Sequence, residues 1–319
     1  MSILITGAAG FIGSHLSEEF INKGMKVIGV DNYQLGRKKN IEKIIDHKNF
    51  HFINSDILDD NFIKLVNKKT ENIDEIWHFA ASSDIQSGTQ NYLLDMNNTF
   101  LTTAAVCNLA EQLNILKIYF ASSGAVYGNK RGRLSENNLC EPISFYGTFK
   151  LSSENFLRSN FERFLTKVVI FRFSNIIGSH ATHGVIYDFI KKLKNDSDTL
   201  EVLGDGTQQK PYLHVNELID SMMFINSKIG EGFNIFNIGP NDDGAKVKEI
   251  ANIVIEEMSL NPKISFGSEN RGWVGDIPKI QFDTNKLIKL GWEPSFSSLE
   301  AVRIATKEII AENKSLQVD

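Results

Sequence analysis

Two stretches of the 319-residue chain carry residue types that could do chemistry: "FASSGAVYG" at 120–128 and "FYGTFK" at 145–150. Tyr146 and Lys150 stand four apart, the spacing that puts two side chains on one face of a helix. An ammonium beside a phenol favours the phenolate and lowers its pKa. Such a phenolate can take a proton from an alcohol while a hydride leaves the alcohol carbon. Ser123, where a predicted strand ends, would hold the substrate oxygen. Alone, the Tyr–Lys pair reads as ordinary helix surface; an upstream cofactor motif in the right order gives it weight.

That motif is "ILITGAAGFIGSHL", which places Gly7, Gly10 and Gly13 between the first strand and the first helix, with Phe11 and Ile12 opening the helix. Glycine permits the tight turn and lets backbone amides approach a pyrophosphate seated on the helix N-terminus. The spacing is GxxGxxG, not the commoner GxGxxG. The second strand ends "VIGVDN", where Asp31, followed by Asn32, can bond the adenosine ribose; an acid there favours NAD over NADP. Asp56 and Ile57 in "NSDILDD" follow the third strand at the adenine edge. Dinucleotide binding, with NAD preferred, is the expectation.

The elements that must position these residues are strands "SILIT", "MKVIGV", "FHFI", "DEIWHFA", "LKIYFAS" and "TKVVIFRF", alternating with helical stretches at 11–23, 60–69, 97–113 and 146–165. Alternation of this kind predicts parallel βαβ units in an α/β, Rossmann-type doubly wound sheet. Nearly continuous apolar strands fit a sheet buried on both faces. After residue 174 the pattern loosens into shorter pieces, with helices expected at 185–194, 246–258 and 297–313. The expected domains are therefore 1–174, binding the cofactor, with segments returning around 210–240, and 175–319, a smaller C-terminal α/β substrate domain.

A formal net charge of −5 argues against nucleic acid as the main partner. No apolar run is long enough to cross a bilayer, and the first residues enter a strand at once. Cys107 and Cys140 are the two cysteines, which suits a reducing cytosol better than a disulfide framework. The reading is a cytoplasmic protein. His180 and His183 in "HATH", with His214, lack the Cys or carboxylate cluster that would complete a metal site, and no metal is expected. His78 is expected to be structural, and the basic runs "GRKKN" and "NKRGR" to be solvated loops.

Taken in order, "TGAAGFIGSHL", "DN", "SDILD", "HFAA", "ASSGAVYG", "YGTFK", "RFSNIIG", "GDGTQQKPYLHVNE" and "VGDIPKI" resemble the extended short-chain dehydrogenases/reductases of the NAD-dependent epimerase/dehydratase type, over nearly the whole chain. The resemblance implies a Rossmann domain with a nucleotide-sugar domain, and a homodimer through a four-helix bundle. It assigns catalysis to Ser123, Tyr146 and Lys150, and cofactor contacts to the residues above with Ala80, Ala81 and Asn97. Substrate contacts fall to Ser82, Gly124, Ala125, Asn175, Lys210, Arg271 and Asp276. Lys210 stands where many relatives carry Arg, and lysine lacks the bidentate fork. Arg271 lies two residues before the usual arginine position, which is Trp273 here.

Relatives that eliminate water or carbon dioxide carry an acid just after the strand-end Ser or Thr. Gly124 and Ala125 occupy those positions here and cannot transfer a proton. The expected activity is an NDP-sugar 4-epimerase, UDP-glucose/galactose type, acting by oxidation at C4 and return of the hydride to the opposite face. The alternatives are an NAD-dependent nucleotide-sugar dehydrogenase and a non-catalytic NAD-sensing regulator. Residues 82–88, 124–125 and 180–187 are expected to set which sugar fits.

Overall fold

The computed structural model describes residues 1–69, 72–83, 85–273 and 275–315, in two compact units. Asp84, within the 82–88 segment, and Val274, within "VGDIPKI", lie outside the described residues.

The first unit comprises Met1–Val126, Ser144–Arg172 and Asn226–Phe236. Its chain runs β1 (Ser2–Thr6), α1 (Phe11–Asn22), β2 (Lys26–Asp31), β3 (Phe50–Asn54), α2 (Phe62–Lys69), β4 (Glu75–His78), α3 (Ile85–Gln90), α4 (Tyr92–Asp95), α5 (Thr102–Gln112), β5 (Lys117–Ser123), α6 (Phe145–Arg163), β7 (Lys167–Phe173) and β12 (Gly232–Ile238). The strands form one seven-stranded sheet in the order β12-β7-β5-β4-β1-β2-β3. β1 runs parallel to both β2 and β4, and the order reverses there. A doubly wound sheet binds ligands outside its strands' carboxyl ends at such a switch point. Thr6, Asp31, His78 and Ser123 all sit at carboxyl ends of strands.

The apolar runs become strands because helices cover both faces: β4 and β7 are buried along their whole length. On one face Leu4, Ile28, Ile76, Ile118 and Ile170 pack with Val106 and Leu109 of α5 and Leu157 of α6. Elsewhere in the sheet Trp77 stacks on Tyr119 with ring centroids 4.2 Å apart. Ser144 caps α6, its hydroxyl accepting from the Gly147 amide at 3.1 Å.

The single helix expected at 97–113 is instead a π-helical turn at Met96–Leu101 that runs into α5. Threonine hydroxyls compete for the backbone there: Thr102 donates to the Asn98 carbonyl at 2.9 Å and Thr103 to that of Thr99 at 2.7 Å. Such local widening is frequent at functional sites.

The second unit comprises Tyr127–Ile143, Phe173–Ile225 and Asn237–Asp319. It holds β6 (Arg133–Leu134), β8 (Asn175–Ile177), α7 (Val185–Asn195), β9 (Thr199–Val202), β10 (Gln209–Lys210), β11 (Tyr212–His214), α8 (Val215–Lys228), β13 (Ala245–Lys246), α9 (Val247–Met258), β14 (Lys263–Phe266), β15 (Gln281–Phe282), α10 (Asn285–Leu290) and α11 (Ser298–Ser315). The strands pair two by two, and α7, α9 and α11 enclose a core that includes Phe189, Ile250, Val254, Val302 and Ile309.

Candidate active site

The glycine turn is built as its spacing predicts. Gly7 adopts φ +70°, and a Cβ there would come within 2.8 Å of the Ala80 amide nitrogen. A Cβ on Gly13 would collide with the Gly7 carbonyl. Gly10 is the N-cap of α1, and neither a side-chain cap nor an acid occupies the first turn, where Phe11, Ile12 and Gly13 lie. An uncapped helix start behind a glycine turn fits a pyrophosphate, whose charge the amides and helix dipole would meet.

Asp31, 8% exposed, accepts from the Ala9 amide at 3.0 Å and the Tyr33 amide at 2.7 Å. Burial holds its pKa above the usual carboxylate value, against the pull of these backbone donors. Asn32 donates to Asp56 at 2.9 Å, so the ends of β2 and β3 are tied together. Asp56 also accepts from the Leu58 amide at 2.8 Å, a turn-forming bond, and Ile57 is buried.

At the end of β4, Thr6 Oγ1 accepts from the Phe79 and Ala80 amides, each at 3.2 Å. It lies 2.7 Å from His78 Nδ1, while His78 Nε2 lies 3.1 Å from Thr103 Oγ1. Thr103 spends its proton on Thr99, so it must accept from Nε2–H; Nδ1 then accepts from Thr6. Burial, aided by the Lys150 charge, drives the His78 pKa down to about 3, and the ring is neutral and structural. Ala81 follows Ala80 in this loop, and the Ser82 amide donates to Thr99 Oγ1 at 3.3 Å. Asn97 lies exposed on the π-helical turn.

Ser123, Tyr146 and Lys150 are brought together by β5 and α6. Tyr146 lies beside Ser123, close enough for the serine side chain to act on the phenol, and Ser123 Oγ accepts from the Ala125 amide at 3.2 Å. Lys150, 3% exposed, donates to the Ala121 carbonyl at 2.6 Å, and its Nζ lies 5.8 Å from the Tyr146 ring centre. Gly124 and Ala125 open a 3-10 turn directly after Ser123.

The phenol does not follow the downward shift expected from its lysine. Burial pushes the Tyr146 pKa up to about 12, the neighbouring Ser123 side chain opposes this, and the Asp95 carboxylate adds to it. Burial also brings Lys150 down to about 7, with the Glu154 and Asp95 carboxylates resisting. Desolvation disfavours the charged form of either group, and it is the largest contribution for both.

Four residues at this site, Asp95, Ser122, Glu154 and Arg172, escaped the sequence reading. Asp95 is fully buried, with Gly88 so close that a Cβ there would collide with its carboxylate. Glu154, one turn beyond Lys150, accepts from Ser122 and from Arg172. Arg172 was the available signal: it is a lone arginine in the otherwise apolar end of β7, and a fully buried strand cannot leave it unpaired.

In the second unit, Lys210 donates to Asp276 at 2.6 Å, and Asp276 accepts from the Gly272 amide at 3.0 Å. The Lys210 ammonium sits 5.4 Å from the centre of the Trp273 ring, and Arg271 is exposed outside this pair. Asn175, at the start of β8, stands opposite Tyr212 of β11 in the strand register. His214 pairs with Glu308 at 3.0 Å and His180 with Glu312 at 3.7 Å.

Residues 3–239 match the NAD dependent epimerase/dehydratase family. A putative UDP-glucose 4-epimerase from Methanocaldococcus jannaschii is 30% identical over 309 residues, 94% of this chain and 96% of that protein. A human dTDP-D-glucose 4,6-dehydratase is 29% identical over 316 residues, 94% of this chain and 87% of that one. A crystal structure of a UDP-galactose 4-epimerase matches with TM-score 0.87 and 31% identity, over 98% of this chain and 99% of that chain. The chain belongs to the NAD-dependent epimerase/dehydratase family, and NAD is its cofactor.

Proposed function

We propose that the protein is an NDP-sugar 4-epimerase, with UDP-glucose and UDP-galactose as its simplest substrate pair. The observation that carries this reading is the site around Ser123: a tyrosine and a lysine converge on it, and Gly124 and Ala125 follow it without a proton-transferring side chain. Likeness to both epimerases and dehydratases leaves the choice to such residues.

Bound NAD supplies the hydride acceptor and, in its oxidised form, a positive charge. Gly7, Gly10, Phe11, Ile12 and Gly13 would hold its pyrophosphate, Asp31 and Asn32 its ribose, and Asp56 and Ile57 its adenine edge, with Ala80, Ala81 and Asn97 nearby. Ser123 would hold the sugar's C4 oxygen beside Tyr146, and Tyr146 would remove that hydroxyl's proton and later return it. The Lys150 charge would stabilise the phenolate against the burial that holds Tyr146 protonated. Ser82, Gly124 and Ala125 would border the sugar. Asn175 and Lys210, with Arg271, would serve the pyrophosphate of the sugar nucleotide, and Asp276 its ribose. We also propose a homodimer through α5 and α6, supported by apolar side chains such as Leu101 and Phe145 that stand exposed at the starts of these helices.

A panel of UDP-, GDP-, CDP- and dTDP-sugars with NMR detection of products tests the reading. Interconversion of C4 epimers without net NADH is the expected result. Stoichiometric NADH and a released keto-sugar would make the protein a dehydrogenase, and a 6-deoxy-4-keto product would overturn the argument from Gly124 and Ala125.

A further inference from the structure

Three consecutive residues at the end of β5 each meet a different turn of α6. Lys150 donates to the Ala121 carbonyl, Glu154 accepts from the Ser122 hydroxyl, and Tyr146 lies beside Ser123. The middle contact belongs to none of the proposed catalytic groups, yet it is the most strongly anchored. Arg172, on the neighbouring strand β7, donates to Glu154 through Nε at 3.1 Å and through Nη2 at 2.6 Å. Arg172 and Glu154 side chains are each 4% exposed. A two-pronged arginine–carboxylate contact fixes orientation as well as distance. Breaking one partner of a buried pair leaves the other charge uncompensated.

We propose that Glu154, seated on Arg172, is a positioning residue: it locks the strand end that carries Ser123 against the helix face that carries Tyr146 and Lys150. The proposal rests on the reading that these three residues perform the chemistry. Ser123 and Tyr146 are on separate elements, and their convergence depends on how β5 sits along α6. Small misplacements of reacting groups cost rate far more than they cost affinity. Ser122 precedes Ser123 directly, so its tie to Glu154 leaves the next hydroxyl little freedom.

Glu154 also acts by charge. The titratable and charged groups around Lys150 are Tyr146 and Glu154 from α6, Asp95 from α4 and the neutral His78 from β4, with Arg172 of β7 behind Glu154; the two carboxylates hold its charge. Removing the Glu154 charge leaves Arg172 unbalanced and favours loss of a proton from Lys150.

The test uses the NAD-loaded enzyme with Ser122→Ala, Glu154→Ala and Glu154→Gln, each checked for fold by circular dichroism. Ser122→Ala removes only the tie; Glu154→Gln keeps an acceptor and removes the charge. The rate of hydride transfer in Glu154→Ala should fall about a hundredfold with KM moved less than about threefold. Ser122→Ala should lose about tenfold, and Glu154→Gln should regain part of the Glu154→Ala loss. A second readout needs no turnover: the pH at which the Lys150 ammonium titrates, followed by NMR of 13Cε-labelled lysine and assigned with the Lys150→Met protein. It should move to lower pH in Glu154→Gln.

A folded Glu154→Ala protein with unchanged rate, or one whose loss is all in KM, overturns the proposal. Should Glu154→Ala fail to fold, an unchanged rate in Ser122→Ala overturns it alone. If the unsubstituted enzyme turns over no nucleotide sugar, the functional reading fails by itself. The Lys150 titration then still decides the role of Glu154, and coincident curves sink it.

Discussion

The Lys150 ammonium donates to the Ala121 carbonyl at 2.6 Å, two residues before Ser123 on the same strand. The lysine therefore braces the strand end while it charges the site around Tyr146. Its hydrocarbon stem is buried, and its Nζ stands 5.0 Å from the centre of the Phe120 ring. Burial disfavours the charged form, which is why its pKa falls to about 7 although the Glu154 and Asp95 carboxylates resist.

Lys150→Met should separate the two roles. Without the ammonium the phenol is harder to ionise, so the hydride-transfer rate should fall about 10²-fold or more at neutral pH. What activity remains should climb with pH beyond the optimum of the unsubstituted enzyme. Tyr146→Phe, which has no proton to give or take, should lose about 10²- to 10⁴-fold at every pH. A pH–rate series on both proteins decides; a Lys150→Met profile parallel to the original would exclude the charge role.

Asp95→Asn should change the pH dependence in the opposite sense. The Asp95 carboxylate raises the pKa of both Tyr146 and Lys150. Its neutral isostere should let both groups lose protons at lower pH, and the pH of half-maximal hydride-transfer rate should fall. Asparagine matches the volume beside Gly88, where there is no room for a larger group. A rise in that midpoint, or none, in a folded protein would show that Asp95 does not act on the pair by charge.

Much of this site was legible because short-range patterns encode it. Apolar runs marked the strands of the first unit to within a residue or two at most ends, and glycine spacing marked the turn before α1. Tyr146 and Lys150 were visible as a helical pair. What stayed hidden depends on distant contacts. Glu154 gains its meaning from Ser122, 32 positions away, and from Arg172, 18 away. The direction of the Tyr146 shift depends on burial, which no spacing reveals. Helix α8 was missed for a local reason: "VNELIDSMMFINSK" follows β11 with no glycine or proline to mark the change.

His78 gives a prediction about stability in acid. Its pKa is about 3 in the folded chain against 6.5 for an ordinary histidine. The unfolded chain therefore takes up the proton first as pH falls. The contribution of His78 is whole above about pH 6.5, declines through the interval and is exhausted below about pH 3. Between pH 7 and pH 5 this one ring should remove about 2 kcal/mol of unfolding free energy. His78→Gln, which does not titrate, should be less stable at neutral pH because Thr6 and Thr103 lose their fitted partner, and its stability should lack that acid slope. Urea unfolding of both proteins at the two pH values makes the comparison; equal slopes would remove His78 from the acid response.

Lys210→Met tests the second unit. Lys210 already has a partner in Asp276, so a diphosphate that engages it must share the ammonium with that carboxylate. If the lysine serves the sugar nucleotide, its loss should raise KM about tenfold while kcat changes little, since the contact is present in ground and transition states alike. Asp276, 3% exposed, would then lose its ammonium donor and keep the Gly272 amide, and the folded protein should lose about 1–3 kcal/mol. Lys210→Arg separates the two effects, because guanidinium keeps the charge and adds a fork suited to phosphate. It should restore stability and bring KM to the original value or below. If Lys210→Met loses stability but keeps KM, the Lys210–Asp276 pair is a brace within the second unit, and the diphosphate must be held by other residues.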